Sequence, residues 1–291
     1  MEYTVTFKCE GENLEQIPES IMEQTGIRFP EAHLDQKQMM ILAKELKKYK
    51  KDQIVRIPFC VTVEAEALGG QIKLGDDKIG PRVDQYLFSA IEELEGIKEI
   101  DLNTGRIKEV LDAVEGLSVE NETVALNVEG PFTIISSLID PMIFYKGIRK
   151  NKELIDKFMK VIEDNIVEYI LAGIKRGAKI ISYGDPVGSL DIVGPKVYQE
   201  ISGRTTYNVL KRIEPFLSGR IVHLCGKTST AFDKLGFSES HPIEMNEELT
   251  YGEAILQLMK DNQGIQFIGH ACIKKTPFKM KKSIVWNICL K

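Results

Sequence analysis

His223 and Cys225 stand two residues apart at the end of the apolar run IVHLC. Imidazole nitrogen and cysteine thiolate are the donors zinc prefers, and side chains two apart on a β-strand share a face. Cys272 follows a second strand-like segment, residues 266–269, in the same kind of position. In a parallel α/β barrel the C-terminal ends of all strands meet at one mouth, so the three donors can converge there and leave a fourth position for a substrate. Taken alone, a His-x-Cys pair is a weak signal. A core histidine beside an unrelated thiol fits the same spacing.

His270 repeats that spacing ahead of Cys272. If the strand runs on through Cys272, the two share a face, and His270 is a fourth metal ligand, a partner that orients a ligand, or a packed histidine. Glu129, Tyr183 and Asp185 also fall at strand ends and so face the expected mouth. Glu129 and Asp185 are the catalytic candidates among them, although Asp185, just before Pro186, equally suits a turn cap. Glu64 and Glu66, in the run VEAEALGG, suit backbone hydrogen bonding. His33 and His241 have no partner pattern. Gly226, Lys227 and Thr228 imitate the end of a phosphate-binding loop, but that motif requires glycine where Ile221 stands. The sequon at Asn121 has no role in a cytoplasmic protein.

The elements that must position these residues alternate between β-rich runs and longer helical patterns after residue 34, the mark of βαβ units and a parallel sheet. Residues 34–51 read as a helix and 54–63 as a strand. Residues 124–128 form a second strand, broken by Glu129, Gly130 and Pro131. The clearest helix covers 151–176, with an apolar stripe through Leu154, Phe158, Ile162 and Tyr169 and a stop at Gly177. Strands at 179–183 and 220–224 flank a helix over 197–216, and 266–269 is read as the last strand. The terminus is expected to be a lysine-rich helix with Ile284, Val285, Ile288 and Leu290 on its apolar side. Residues 1–33, with Tyr3, Val5 and Phe7 alternating, suggest an N-terminal layer on a single domain spanning 1–291.

Bulk properties agree. A chain of 291 residues, 43% hydrophobic and 28% charged, suits one large soluble α/β domain. The net charge of -5 disfavours nucleic-acid binding, and no apolar run is long enough for a membrane span. The start lacks signal-peptide order, so a cytoplasmic location is expected, where the five cysteines are thiols or metal ligands rather than disulfides. Six lysines and no carboxylate fall in residues 270–291, either a docking face for an acidic partner or the solvated side of the terminal helix.

The segments VEAEALGG (63–70), GPFT (130–133), YGDP (183–186), HLCGKT (223–228) and ACIKKTP (271–277) occur in an order that resembles the uroporphyrinogen decarboxylase superfamily, and within it the methylcobamide:coenzyme M methyltransferase branch. The resemblance runs through most of the chain from about residue 34. It implies a TIM-type (β/α)8 barrel, truncated or distorted near the C-terminus, because the interval from Cys225 to Cys272 is short and one strand is missing from the expected order. It implies Zn2+ bound by His223, Cys225 and Cys272, and methylcobalamin delivered by a separate corrinoid protein as methyl donor to a small-molecule thiol. Gly130, through the amides that follow it, and Tyr183 become cofactor- or substrate-binding candidates, with Lys227 another donor for an anionic acceptor. The decarboxylase branch instead carries an arginine-rich N-terminal segment. Residues 1–33 hold only Arg28, which leaves porphyrinogen decarboxylation, or a non-catalytic zinc-stabilised binder, as the alternatives.

Overall fold

The computed structural model describes Phe7, Cys9 and residues 17–261 and 264–291. Tyr3 and Val5 of the expected N-terminal layer lie outside these residues. Within that layer α1 (Glu19–Thr25) packs on α2 (Gln36–Lys50) around Ile21, Ile27, Ala32 and Leu42. Asp35 caps α2 by accepting from the amide of Gln38 at 2.9 Å.

The first strand, β1, is only Val55–Ile57. It stops short of the expected residue 63 because Pro58 has no amide with which to extend the ladder. The VEAEALGG run folds instead as α3 (Val63–Ala67), followed by a hairpin of β2 (Gln71–Lys73) and β3 (Arg82–Gln85). Then come α4 (Gly105–Val119), β4 (Val124–Glu129), α5 (Pro131–Ile135), α6 (Pro141–Lys150), α7 (Lys152–Lys175) and β5 (Ile180–Gly184). The second half contains α8 (Leu190–Val197), α9 (Gly203–Ile213), β6 (Ile221–Cys225), α10 (Gly226–Leu235), β7 (Ser238–Glu244), α11 (Tyr251–Asp261), β8 (Phe267–Ala271) and β9 (Ile284–Leu290).

Strands β1, β4, β5, β6 and β8 pair in that order, all parallel, as the βαβ pattern requires. The sheet then changes character: β9 pairs antiparallel with β8, and β7 antiparallel with β9. Among the described residues no ladder returns from β7 to β1, so the parallel barrel is distorted at its C-terminal side as expected. The terminal segment itself is a correction. Residues 284–290 form a strand and not a helix, with Val285 and Ile288 buried and ladders on both edges.

Strand alternation divides the side chains between two cores. Val124, Leu126, Val128, Ile181, Tyr183, Val222 and Leu224 face the large helix-covered core. Ile54, Ala125, Ile180, Ile221 and Ile268 face the other side, where α11 lays Tyr251, Ala254, Ile255 and Leu258 against them. One contact joins the two ends of the chain across this face. Asp52, buried before β1, accepts from Thr276 Oγ1 at 2.5 Å and also caps the backbone of Gln53 and Ile54. Gly252 of α11 fits closely between them: a Cβ there would lie 3.0 Å from the Thr276 carbonyl and 3.2 Å from Asp52.

Candidate functional site

The face opposite the large core carries the donors. Across four strands Asn127, Ser182, His223 and Ile268 lie in register, and one step nearer the C-terminal rim come Glu129, Gly184, Cys225 and Ala271. Gly184 has no side chain, and a Cβ there would stand 3.3 Å from Cys225 Cβ. Glu129, half-buried at the end of β4, lies two strands from Cys225 along that rim.

His223 is 1% exposed, with its ring 5.7 Å from that of Tyr251 in an edge-on arrangement. Burial pushes its pKa down to about 4, opposed by a hydrogen bond from the ring to its own backbone and reinforced by the charge of Arg56. Its Nε2 is buried without a hydrogen-bond partner. The residue's own carbonyl is within reach of Nδ1, so the neutral ring carries its proton there and directs the Nε2 lone pair outward. A buried polar atom without a partner is uncommon and calls for a ligand.

Burial raises the Cys225 thiol, while the amides of Lys227 and Thr228 at the start of α10 pull it down, and charge on Cys272 or Cys9 raises it further. Cys272 is likewise raised by burial and lowered by the amide and charge of Lys274 and by Arg56. The thiols of Cys225 and Cys272 are therefore close enough for ionisation of one to oppose ionisation of the other. Among the described residues no three His, Cys, Asp or Glu side chains stand in a ready ligand arrangement. The donor types and the orphaned Nε2 nevertheless fit Zn2+, and the three must draw together to hold it.

The other candidates divide. Asp185 is 3% exposed and already serves four donors: the Phe132 amide at 3.1 Å, the Thr133 amide and hydroxyl at 2.8 Å each, and the Gly188 amide at 3.2 Å. It fills the anion position at the start of α5, so the amides after Gly130 are not free for a substrate, and Asp185 is a positioning residue. Gly130 and Gly188 permit its approach, since a Cβ on either would collide with Asp185. Tyr183 is corrected as well. Alternation turns it into the large core, where its hydroxyl meets Thr206 Oγ1 at 3.2 Å, away from the mouth.

His270 does not share a face with Cys272. Between the paired positions His223/Ile268 and Cys225/Ala271, β8 spends one residue more than β6, and His270 takes a left-handed φ of 56° in that bulge. Its amide donates to Ser229 Oγ at 2.8 Å. Its ring turns to α10, with Nδ1 3.2 Å from Thr230 Oγ1 and Nε2 2.7 Å from Ser240 Oγ, and stands edge-on to Trp286. Both nitrogens are engaged, so His270 is a packed histidine and not a metal ligand.

Sequence reasoning missed Arg56. Arg56 and Asn127 line a cleft of about 900 Å³ with His33, Phe59, Lys274 and Phe278. The three donors are not in its wall, but Arg56 acts on both His223 and Cys272, so the cleft adjoins them. Strand parity signals Arg56, a charge on the inner face of an otherwise apolar strand. Glu64 is buried and accepts from the Glu129 amide at 2.9 Å, the structural role expected, yet burial pushes its pKa up to about 7. Glu66 pairs with the buried Arg106, which also donates to Cys60 Sγ and Thr62 Oγ1. The terminal lysines sit on turns and strand ends, with Lys279 paired to Glu248 and Lys291 to Glu239. No described helix is long and apolar enough to cross a membrane.

Comparison with known proteins places these features. The chain is 28% identical over 221 residues to methylcobamide:CoM methyltransferase MtbA of Methanosarcina acetivorans, covering 74% of this chain and 65% of the relative. It is 26% identical over 261 residues to methylcobamide:CoM methyltransferase MtaA of Methanosarcina barkeri, covering 82% and 74%. A solved methyltransferase from Methanosarcina mazei superposes with a TM-score of 0.65 at 25% identity, over 75% of this chain and 66% of the other. The chain thus spans slightly less than two thirds of the first of these relatives. The family described as Uroporphyrinogen decarboxylase (URO-D) matches residues 14–275. The parallel strands, the rim that carries His223 and Cys225 and this match over most of the length have one explanation: the chain belongs to the uroporphyrinogen decarboxylase (URO-D) family.

Proposed function

We propose that this chain is a zinc-dependent methyltransferase that moves a methyl group from a methylated corrinoid protein to a small-molecule thiol in the cytoplasm. The observation that carries the reading is His223: buried, neutral, with Nε2 unpartnered on the strand face it shares with Cys225. The printed names of the relatives, methylcobamide:CoM methyltransferases, support the donor and acceptor classes.

His223, Cys225 and Cys272 would hold the metal. A bound Zn2+ would lower the pKa of the acceptor thiol and keep it as thiolate. The residues around it prepare that state. His223 stays neutral near pH 7 and keeps its lone pair, while the α10 amides, Lys274 and Arg56 lower the cost of ionising the two cysteines. The adjoining cleft, with Arg56 and Asn127 in its wall, gives the acceptor polar groups to bind. Transfer would form a sulfur–carbon bond on the acceptor as the methyl group leaves the corrinoid, which would keep the bonding electron pair.

Metal analysis of the purified protein tests this. About one zinc per chain is expected, with less in each of His223→Ala, Cys225→Ala and Cys272→Ala, since a catalytic site has only about three protein ligands to lose. Methyl transfer from free methylcobalamin to a thiol should fall with the metal. Full zinc retention in Cys272→Ala would overturn the assignment.

A further inference from the structure

The ring of Phe7 is seated on Gly226, where any Cβ would collide with it. Gly226 directly follows Cys225, so Phe7 lies against the rim at the donor site. Cys9, two residues on and within roughly 7 Å of chain from Phe7, is an exposed free thiol. The contact of Phe7 with Gly226 therefore holds Cys9 near the rim that carries Cys225. The family match begins at residue 14, so Phe7 and Cys9 precede it.

We propose that Cys9 is a fourth, exchangeable ligand of the metal site, completing the set of His223, Cys225 and Cys272 until an acceptor thiol displaces it. This rests on the zinc reading above. Three ligands fixed to strand ends leave one position open. A thiol outside any strand, tethered by an aromatic anchor, has a high local concentration there without being locked in. The exchange balances without any added reagent: the acceptor gives up its thiol proton as it binds, and the departing Cys9 sulfur takes it.

Cobalt(II) loaded in place of zinc reports the number of thiolates through the thiolate-to-metal charge-transfer absorbance in the near ultraviolet. Without added thiol, Cys9→Ser should lose about one third of that absorbance, as three thiolates become two. Phe7→Ala should lose a similar share, because the anchor is gone while the cysteine remains. Mercaptoethanol should restore the band in Cys9→Ser with about tenfold tighter binding than in the unaltered protein, where it competes with Cys9. Equal absorbance and equal mercaptoethanol affinity in the two proteins would overturn the role of Cys9 and leave the zinc reading standing. No charge-transfer band in the unaltered protein would overturn both.

Discussion

Asp185 accepts from the amide and from the hydroxyl of Thr133, each at 2.8 Å, and so fastens the start of α5 to the end of β5. Its burial makes those bonds costly to lose. Asp185→Ala strands three backbone amides and is expected to cost about 3–5 kcal/mol. Asp185→Asn keeps the shape but points an amide at donors, for about 1–3 kcal/mol. Urea unfolding midpoints check both, and a shift under about 0.5 kcal/mol for the alanine variant would contradict the positioning role.

Glu64 leaves a signature in the pH dependence of stability. Its folded pKa, pushed up to about 7, exceeds the ordinary value of 4.5. Between those values the folded state binds more protons than the unfolded state, so this group's contribution to stability falls as pH rises, by about 3 kcal/mol in all. The buried His33, His223 and His270, each lowered to about 4, act in the opposite direction below pH 6.5. Glu64→Gln keeps an acceptor for the Glu129 amide and isolates the Glu64 effect. Its stability relative to the unaltered protein should rise from pH 4.5 to 7, and a constant difference over that window would refute the raised pKa.

His270 bridges Thr230 and Ser240, so its loss should be felt in stability alone. His270→Ala is expected to cost about 1–3 kcal/mol through cavity and lost hydrogen bonds. Zinc content should stay at the level of the unaltered protein. Joint loss of metal and stability, measured by metal analysis after thermal unfolding, would return His270 to the site.

Gly184 separates the Glu129 rim from Cys225. In Gly184→Ala the new methyl stands 3.3 Å from Cys225 Cβ, a tight contact that a small displacement of the cysteine relieves. Stability should change by only about 1 kcal/mol, whereas zinc affinity drops about tenfold. A competition titration with a chelator separates the two effects. Unchanged affinity would mean that the position of Cys225 does not limit metal binding.

Much of this was legible in the sequence where the signal is local. Helices α2 and α7 and strands β4, β5 and β6 follow their periodicities, and parity alone puts His223 and Cys225 on one face. Parity read strictly would also have turned Tyr183 away from Ser182 and into the helical core. The terminal strand was misread because Ile284, Val285, Ile288 and Leu290 satisfy a helical spacing as well as a buried strand over so short a run. The bulge at His270 depends on Ser229, whose hydroxyl accepts the His270 amide from 41 positions away along the chain, and no local pattern encodes that. From the sequence Cys9, like Cys60 and Cys289, is expected to be dispensable for metal binding, and no local pattern links it to Cys225, more than two hundred residues off.

The hydrogen bond from Thr276 to Asp52 spans 224 residues, and it stands where the described strands leave the sheet unclosed. Contacts of such separation are slow to form because loop-closure entropy must first be overcome. During synthesis Asp52 emerges early and waits for Thr276, only four residues past Cys272, to leave the ribosome. The residues that lead into the first strand are therefore tied down only once residue 276, four positions past Cys272, has been made. A chain stopped before residue 276 carries His223 and Cys225, and even Cys272, but lacks the latch that ties the segment after β8 to the residues before β1.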